Sequence, residues 1–380
     1  MRLIIFGGTF DPPHNGHVEL ISSLNFSNDD KVIILPNYIP PHKSADASSE
    51  DRLNMCKLAF ADLEVCDYEI KKGGASYTYQ TLQHFQKEYS LDCDHLIYII
   101  GADSMRDLKN WGHPHKLSRL ATFLVFRRPH YNNVEKDIKD FKDLYGGNFI
   151  LSDFIGQDIS STEIRVRNAF DQAGDYVPKG VYDYINQKGL YQKYRAITSK
   201  YSRFGLSQKR INHTLSVTLT ALKLGYVYQV ESEKIILAAL LHDIGKNLSL
   251  KKAYELGLNI SYKTIELPAV CRHADFGYEI AKTFFGIKDE EVLNAIKYHT
   301  TGRPDMTLLE KIILLSDYFE PTRQTPGIDK IAQVAQTDID KAVAMALKDN
   351  LNYLKQQNYE IAPITISAYK YYQKENEFGI

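Results

Sequence analysis

Glycines and histidines are concentrated in one segment near the N-terminus, Gly7–His17, which reads GGTFDPPHNGH and follows a short apolar run. Gly7 and Gly8 allow the backbone to approach a ligand closely. His14 and His17 flank the expected start of a helix, where free amides and two imidazoles would surround one anion. A His-x-Gly-His string alone arises by chance in roughly two chains per hundred of this composition. Its position after an apolar strand makes a phosphate site the better prediction.

A second set of polar residues lies beyond residue 200, where helical apolar patterns are interrupted or extended by imidazoles and carboxylates. Its members are His213, His242, Asp243, His273, His299 and Asp317. A single histidine in such a place is more often an ordinary core or surface residue. A carboxylate on a core-facing stripe, however, needs a cation or a partner. Nitrogen and oxygen donors without sulfur suit iron, manganese or zinc in an open hydrolytic site.

The elements that must position the first set alternate between strands and helices. This alternation predicts an α/β domain with a doubly wound, Rossmann-like parallel sheet, whose loops at the carboxyl ends of the strands carry the ligands. The predicted strands are Leu3–Phe6, Val32–Leu35, Leu96–Ile100 and Phe123–Phe126, and the predicted helices include His17–Leu24, Arg52–Phe60 and Thr78–Tyr89.

The second half has helical periodicity with few strand candidates, and it predicts an all-α domain. The predicted helices are Ser207–Gly225, Ser232–Leu241, Asp289–His299 and Thr307–Phe319. A chain of 380 residues exceeds what one core usually serves. We therefore expect two domains, 1–195 and 196–380, with the junction inside Asn186–Gly205.

Composition excludes several classes of function. The chain is 44% hydrophobic and has a net charge of −1. Its apolar runs fall well short of the roughly 20 residues of a membrane helix, and the charge gives no general reason to bind nucleic acid. Four cysteines without CxxC spacing fit a reducing compartment, so we expect a cytoplasmic protein. The oligomeric state stays open, a homo-oligomer included.

Residues 1–193 resemble the HxGH nucleotidyltransferase superfamily and, within it, the bacterial nicotinate-mononucleotide adenylyltransferases. The matching segments are GGTFDPPHNGH, LPNYIPPHK, GGASYTYQTL (73–82), GADS (101–104), Trp111 and DISSTEIR (158–165). Pantetheine-phosphate adenylyltransferases and cytidylyltransferases share the HxGH core and are the alternatives. The Ser-Tyr-Thr segment, Trp111 and ISSTEIR favour the nicotinate branch.

The resemblance implies transfer of AMP from ATP, bound with Mg²⁺, to nicotinate mononucleotide, without a protein nucleophile. It assigns catalytic phosphate contacts to His14, His17, Lys43 and Arg165. It assigns nucleotide or substrate binding to Gly7, Gly8, Thr9, Phe10, Tyr77, Thr78, Asp103, Trp111, Ser161 and Thr162. Within this set Trp111 would stack on the pyridine ring, and the amides near Tyr77 and Thr78 would meet the carboxylate. Ser-Ser-Thr-Glu independently predicts a helix N-cap suited to a phosphate.

Residues 198–375 resemble the HD-domain phosphohydrolases, in particular the bacterial symmetrical diadenosine tetraphosphate hydrolases. The matching segments are Arg210–His213, LLHDIGK, His273–Gly277, HTTGRPDM and SDYFEPTR. The resemblance implies that one metal is held by His213, His242, Asp243 and Asp317, and a second by Asp243, His273 and His299. It makes Asp243 and Lys246 catalytic and gives phosphate contacts to Lys246, Arg210, Thr300, Arg303 and Arg323.

Two points leave alternatives open for this half. The third histidine is followed by Asp275 and Phe276, where the family usually has a small residue and an apolar one. The substrate could then be another nucleotide or dinucleotide rather than diadenosine tetraphosphate. The half could also be a nucleotide-binding regulatory module, although binding a nucleotide needs no pair of metals.

Overall fold

The computed structural model describes residues 1–39, 45–129, 131, 133–321 and 327–378. The chain divides into two compact units, Met1–Gln192 and Lys193–Ile380. The predicted domain limits, 1–195 and 196–380, stay a prediction. No helix within the described ranges is long and apolar enough to cross a membrane.

One parallel sheet organises the N-terminal unit. Its six strands in the described chain are β1 Leu3–Gly8, β2 Lys31–Pro36, β3 Glu64–Val65, β4 Leu96–Gly101, β5 Thr122–Arg127 and β6 Phe149–Ile155. Their order is β3-β2-β1-β4-β5-β6, and every pairing is parallel. The order reverses beside β1, which is where a sheet of this type opens a crevice for ligands. The predicted doubly wound sheet is confirmed.

Helices cover both faces of this sheet. Alternate residues of β1 point to opposite faces, so Leu3 and Ile5 pack into one apolar cluster while Ile4 and Phe6 pack into another. Burial on both faces explains why the central strands read as continuous apolar runs. The helices are α1 Asn15–Ser22, α2 Ser49–Ala59, α3 Tyr68–Lys72, α4 Thr78–Glu88, α5 Ala102–Asp107, α6 Pro114–Leu120, α7 Val134–Tyr145, α8 Ser161–Asn168 and α9 Lys179–Lys188.

The described part of the C-terminal unit is helical and contains no strand, which confirms the all-α prediction. Its helices are α10 Arg195–Thr198, α11 Gln208–Tyr228, α12 Ser232–Leu241, α13 Leu250–Glu255, α14 Tyr262–Glu266, α15 Arg272–Phe284, α16 Glu290–Tyr298, α17 Leu308–Tyr318, α18 Ile328–Val334, α19 Ile339–Gln356 and α20 Pro363–Phe378. Four of them, α11, α12, α16 and α17, pack against one another around a common core, and α15 packs on α16.

Several predicted bounds shift because a polar residue caps the helix instead of starting it. Ser207 and Thr307 were predicted as first helical residues, but each is an N-cap whose side chain accepts from a backbone N–H three residues later. The helix predicted over His17–Leu24 begins at Asn15 and has His14 as its N-cap residue. Strand β6 was missed, because it is an edge strand with only partial burial.

Candidate active sites

The two histidines of the HxGH segment lie face to face where β1 runs into α1. Their ring centroids are 3.6 Å apart with an interplanar angle of 25°. The backbone N–H of His14 donates to Nδ1 of His17 at 3.2 Å. A neutral His17 must therefore carry its proton on Nε2. The predicted convergence of the two imidazoles at a helix start is present.

Both imidazoles are held neutral. Burial lowers the pKa of His14 well below its ordinary value, and the charges of His17 and Arg128 lower it further. Burial lowers the pKa of His17 to about 3, with help from Arg128 and against the opposing charge of Asp103. Neutral imidazoles can donate hydrogen bonds to phosphate oxygens without adding charge. Sequence reasoning did not identify Arg128, which directly follows β5.

The structure gives parts of the glycine-rich segment a packing role. A Cβ on Gly7 would lie 2.0 Å from the hydroxyl oxygen of Tyr98, so packing alone requires glycine there. Phe10 is buried, and its ring contacts His17 edge-on at 5.2 Å between centroids. The carbonyl of Thr9 accepts from the fully buried Arg52 at 2.7 Å. The predicted ligand contacts of Gly7, Gly8, Thr9 and Phe10 stay predictions.

Helix α8 is joined to the same segment at its N-terminus. Ser160 caps the helix by accepting from the Glu163 N–H, as the Ser-Ser-Thr-Glu pattern predicts. Ser161 donates to the carbonyl of Pro12 at 2.8 Å. Arg165 donates to the Asp11 carbonyl at 2.7 Å and forms an ion pair with Asp46 at 2.8 Å. Arg165 is therefore beside the HxGH segment, but protein acceptors occupy its guanidinium.

The hydroxyl of Thr162 accepts from Nη2 of Arg165 at 3.3 Å, so these two residues predicted to bind phosphate contact each other. Asp103 lies in the first turn of α5, and its carboxylate is 3.8 Å from Nε of Arg128. The predicted Lys43 lies outside the described residues.

The residues predicted to bind the pyridine ring and its carboxylate lie near one another. Trp111 follows the short turn Leu108–Asn110 and is half-buried. A Cβ on its neighbour Gly112 would lie 3.1 Å from the Tyr77 ring. Tyr77 is the N-cap residue of α4, and no side chain caps that helix. The amides of Tyr77 and Thr78 thus begin a helix next to the only tryptophan of the chain.

In the C-terminal unit three histidines are oriented in the same way. Nδ1 of His242, His273 and His299 donates to the backbone carbonyl three residues earlier, at 2.6, 2.8 and 2.7 Å. His242 and His299 follow the last turns of α12 and α16, where carbonyls are free to accept. His273 is the second residue of α15, and its acceptor Val270 lies in the preceding turn Ala269–Cys271. Each Nε2 atom is then unprotonated and available to another partner. Hydrogen bonds from Nδ1 of this kind fix the tautomer of metal-binding histidines.

Asp243 lies at the centre of these Nε2 atoms. Its Oδ1 is 3.2 Å from Nε2 of His273 and 3.5 Å from Nε2 of His299. Its Oδ2 is 3.7 Å from Nε2 of both His213 and His242. Burial alone would raise the pKa of Asp243, but the neighbouring charges, with those of His242 and Lys246 among them, hold it well below its usual value.

His213 is in the second turn of α11, and its ring nitrogens face carboxylates instead. Its Nδ1 donates to Oε1 of Glu320 at 3.3 Å, and its Nε2 is 3.1 Å from Oδ1 of Asp317. Glu320 is 1% exposed. Sequence analysis did not identify Glu320. The usable signal was its spacing, because residues three apart at the end of a helix such as α17 lie on the same side, and Glu320 is three residues after Asp317.

This arrangement fits divalent metal ions. Two groups of potential ligands, one with His213 and His242 and the other with His273 and His299, share Asp243. Nε2 atoms of His273 and His299 are 3.2 Å apart, although both would be acceptors in the tautomers that their Nδ1 bonds select. Nε2 of His242 is buried and has no hydrogen-bond partner. A cation between these atoms would satisfy all of them.

Cationic and hydroxyl groups surround the same carboxylate. Arg210 donates to Oδ2 of Asp243 at 2.6 Å. Lys246 and Thr300 each reach Nε2 of His273 at 3.1 Å. Arg303 is different, because both ends of its guanidinium donate to the buried Glu310 at 2.7 Å. A phosphate contact by Arg303 would have to break that pair. The predicted Arg323 lies outside the described residues.

The departure at Asp275 and Phe276 has a structural explanation. Asp275 forms an ion pair with Lys297 at 3.3 Å, which joins α15 to α16. Phe276 is buried, and a Cβ on Gly245 would lie 2.8 Å from its Cβ. Both side chains therefore pack the helices that carry His273 and His299.

The sequence matches two known families. The cytidylyltransferase-like family matches residues 5–167, and the HD-domain family matches residues 210–322. A Mycoplasma genitalium protein named "Probable nicotinate-nucleotide adenylyltransferase/Ap4A hydrolase" is 28% identical over 93% of this chain and 99% of its own length.

Relatives of each half are more similar. A Clostridium tetani protein named "Probable nicotinate-nucleotide adenylyltransferase" is 37% identical over 50% of this chain and 98% of its own length. A Halalkalibacterium halodurans protein named "Bis(5'-nucleosyl)-tetraphosphatase, symmetrical" is 38% identical over 43% of this chain and 89% of its own length. The chain therefore belongs to two families, that of the nicotinate-nucleotide adenylyltransferases within the cytidylyltransferase-like fold and that of the symmetrical tetraphosphatases of the HD domain.

Proposed function

We propose that the chain is a bifunctional enzyme. Its N-terminal half transfers AMP from ATP to nicotinate mononucleotide, which gives nicotinate adenine dinucleotide and pyrophosphate. Its C-terminal half hydrolyses diadenosine tetraphosphate symmetrically to two ADP. The names of relatives that cover each half, and of one that covers both, support this assignment. The free state of all four cysteines fits our proposal of a cytoplasmic location.

The stacked neutral pair of His14 and His17 carries the first half of the proposal. In-line attack of the mononucleotide phosphate on the α-phosphorus of ATP needs positioning and charge stabilisation rather than a protein nucleophile. Nε2–H of His17 can donate to a nonbridging oxygen, and Arg128 supplies positive charge beside it. Arg165 and Lys43 would add to this charge. Mg²⁺ would enter with ATP and neutralise its phosphates.

Product analysis tests this half. Purified protein is incubated with ATP, Mg²⁺ and either nicotinate or nicotinamide mononucleotide, and dinucleotide and pyrophosphate are measured. We expect nicotinate adenine dinucleotide and pyrophosphate in equal amounts. Transfer to 4'-phosphopantetheine or formation of a CDP product instead would favour the alternatives within the HxGH superfamily.

The convergence of four Nε2 atoms on Asp243 carries the second half. His213, His242, Asp243 and Asp317 would hold one metal, and Asp243, His273 and His299 a second. Such ions lower the pKa of a bound water and polarise phosphoryl oxygens. Arg210, Lys246 and Thr300 would bind the polyphosphate beside them, and Lys246 would position a negatively charged phosphate next to Asp243. We propose iron, with manganese or zinc as alternatives.

Nucleotide analysis distinguishes the candidate activities of this half. Protein loaded with Fe²⁺ or Mn²⁺ is given diadenosine tetraphosphate, and the nucleotides are separated. ADP as the sole product supports symmetrical hydrolysis. ATP with AMP, or metal binding without turnover, would contradict it and favour another phosphohydrolase or a regulatory module.

A further inference from the structure

A buried carboxylate contacts the segment that leads into α4. Glu69 in α3 is 5% exposed, and the Thr81 hydroxyl donates to its Oε1 at 2.6 Å. Its Oε2 is buried and makes no hydrogen bond of ordinary geometry with the described residues. Burial raises the pKa of Glu69, while the hydroxyls of Ser76 and Thr81 oppose this effect. Glu69 therefore lies close to both ends of the segment 76–81.

The same segment is fixed on its other side by the chain that follows β2. The N–H of Ser76 donates to the carbonyl of Ile39 at 3.0 Å. The hydroxyl of Ser76 accepts from the N–H of Tyr38 at 3.0 Å. Ser76 is thus anchored by backbone groups, whereas Thr81 in the second turn of α4 is anchored by Glu69.

We propose that Glu69 is a positioning residue that sets the preference for nicotinate mononucleotide. By holding Thr81 it fixes the first turn of α4, and with it the amides of Tyr77 and Thr78. The inference rests on the proposed adenylyltransferase function. A carboxylate substrate needs these N–H groups at fixed positions, whereas a carboxamide gains less from them because it also presents an NH₂ donor.

The contacts of Glu69 indicate whether its charge or its geometry is needed to hold Thr81. It forms no ion pair among the described residues, and its bond to Thr81 needs only an accepting oxygen. Glutamine offers that oxygen with the same shape, so charge is dispensable and geometry is not. Glu69→Gln should rescue what Glu69→Ala loses.

Steady-state kinetics of the full-length protein test the inference. Initial rates are measured with nicotinate and with nicotinamide mononucleotide for the wild type, Glu69→Ala, Glu69→Gln and Thr81→Val. Glu88→Ala is the control, because Glu88 is on α4 like Thr81 but is exposed and paired with His84. Quenching of Trp111 fluorescence gives mononucleotide affinity independently of turnover.

We expect Glu69→Ala to raise KM for nicotinate mononucleotide by about tenfold, the usual effect of losing a buried hydrogen-bond partner. Its kcat and its KM for ATP should stay unchanged, and the nicotinate preference should fall by the same factor. Thr81→Val should act in the same direction. Glu69→Gln and Glu88→Ala should resemble the wild type.

Three results would overturn the inference. KM for nicotinate mononucleotide could be unchanged in Glu69→Ala, or it could rise as much in Glu69→Gln as in Glu69→Ala. The third such result is a parallel rise of KM for ATP in Glu69→Ala. If Glu69→Ala does not fold, Thr81→Val decides in its place, because valine preserves the shape of threonine. A wild-type protein that does not adenylylate nicotinate mononucleotide would refute the proposed function itself. Wild-type turnover with insensitive variants would refute only the role of Glu69.

Discussion

His242 and His299 are oriented by the same device, since each directs Nδ1 to the carbonyl three residues earlier in its own helix and leaves Nε2 toward Asp243. Each residue follows the last turn of a helix, α12 or α16. The carbonyls of a last turn have no partner in the helix, so they can accept from a side chain. The end of a helix thus supplies both the position and the tautomer of a potential metal ligand.

Asp243→Ala should abolish hydrolysis and metal binding while it leaves dinucleotide synthesis intact. Asp243 is the one residue common to both ligand groups of the described chain, so its loss affects both metal positions. Metal content by mass spectrometry, ADP formation and dinucleotide formation should be measured on the same preparation. Asp275→Asn is the control, because Asp275 on α15 is another mostly buried acid of the C-terminal unit, but it pairs with Lys297 and belongs to neither ligand group. Loss of both activities in a folded Asp243→Ala protein would show that the two sites depend on each other.

Glu320→Ala should weaken metal binding by about 10- to 100-fold, the usual effect of removing a carboxylate that orients a metal-binding histidine. Glu320 is the acceptor for Nδ1 of His213, which lies within α11 and has no free carbonyl of its own helix nearby. Glu320→Gln keeps an acceptor oxygen and should recover part of the affinity. Titration calorimetry with Mn²⁺ measures this directly. Equal affinity in Glu320→Ala and wild type would remove Glu320 from the metal site.

The sequence was sufficient for features that depend on local pattern. Strands β1, β2, β4 and β5 are buried and read as apolar runs, and His242 and His299 lie where apolar helical stripes end. Strand β6 was missed because Ser152 and Asp153 break its apolar run in the middle.

Residues whose role depends on tertiary contacts could not be identified in this way. Glu320 and Arg52 are charged residues on polar segments, and only the folded chain shows that each is buried, Glu320 as the acceptor for His213 and Arg52 as a donor to the Thr9 carbonyl. Arg128 had a usable signal, because it is a cation directly after a buried strand at the ligand-binding edge of the sheet. Arg303 shows the converse, since its motif predicts a phosphate contact while the structure pairs it with Glu310.

The N-terminal unit should lose stability as the pH falls from about 6.5. The pKa of His17 is about 3 in the folded protein against an ordinary value of 6.5, and that of His14 is also lowered. Between these values the unfolded chain binds protons that the folded chain does not, so acid favours unfolding, by up to about 1.4 kcal/mol per pH unit for each histidine. Urea unfolding followed by Trp111 fluorescence at pH 7.5 and 5.5 measures this loss.

His17→Asn is the matched variant for this measurement, because asparagine does not titrate but still offers a donor and an acceptor. Its loss of stability between pH 7.5 and 5.5 should be smaller than that of the wild type. An identical pH dependence in the two proteins would mean that His17 binds protons equally in the folded and unfolded chains, which contradicts the lowered pKa.

Arg128→Ala should lower the rate of dinucleotide synthesis and move the acid limb of its pH profile to higher pH. The positive charge of Arg128 lowers the pKa of both His14 and His17, so its removal raises both pKa values. Protonation of His17 would then begin at a higher pH and would remove the Nδ1 acceptor that holds the His14 N–H. Arg128→Lys keeps the charge and should retain the position of the limb even if the rate falls. The measurement is the profile of kcat/KM for ATP between pH 4.5 and 8. An unshifted acid limb in Arg128→Ala would show that Arg128 does not set the pKa values of His14 and His17.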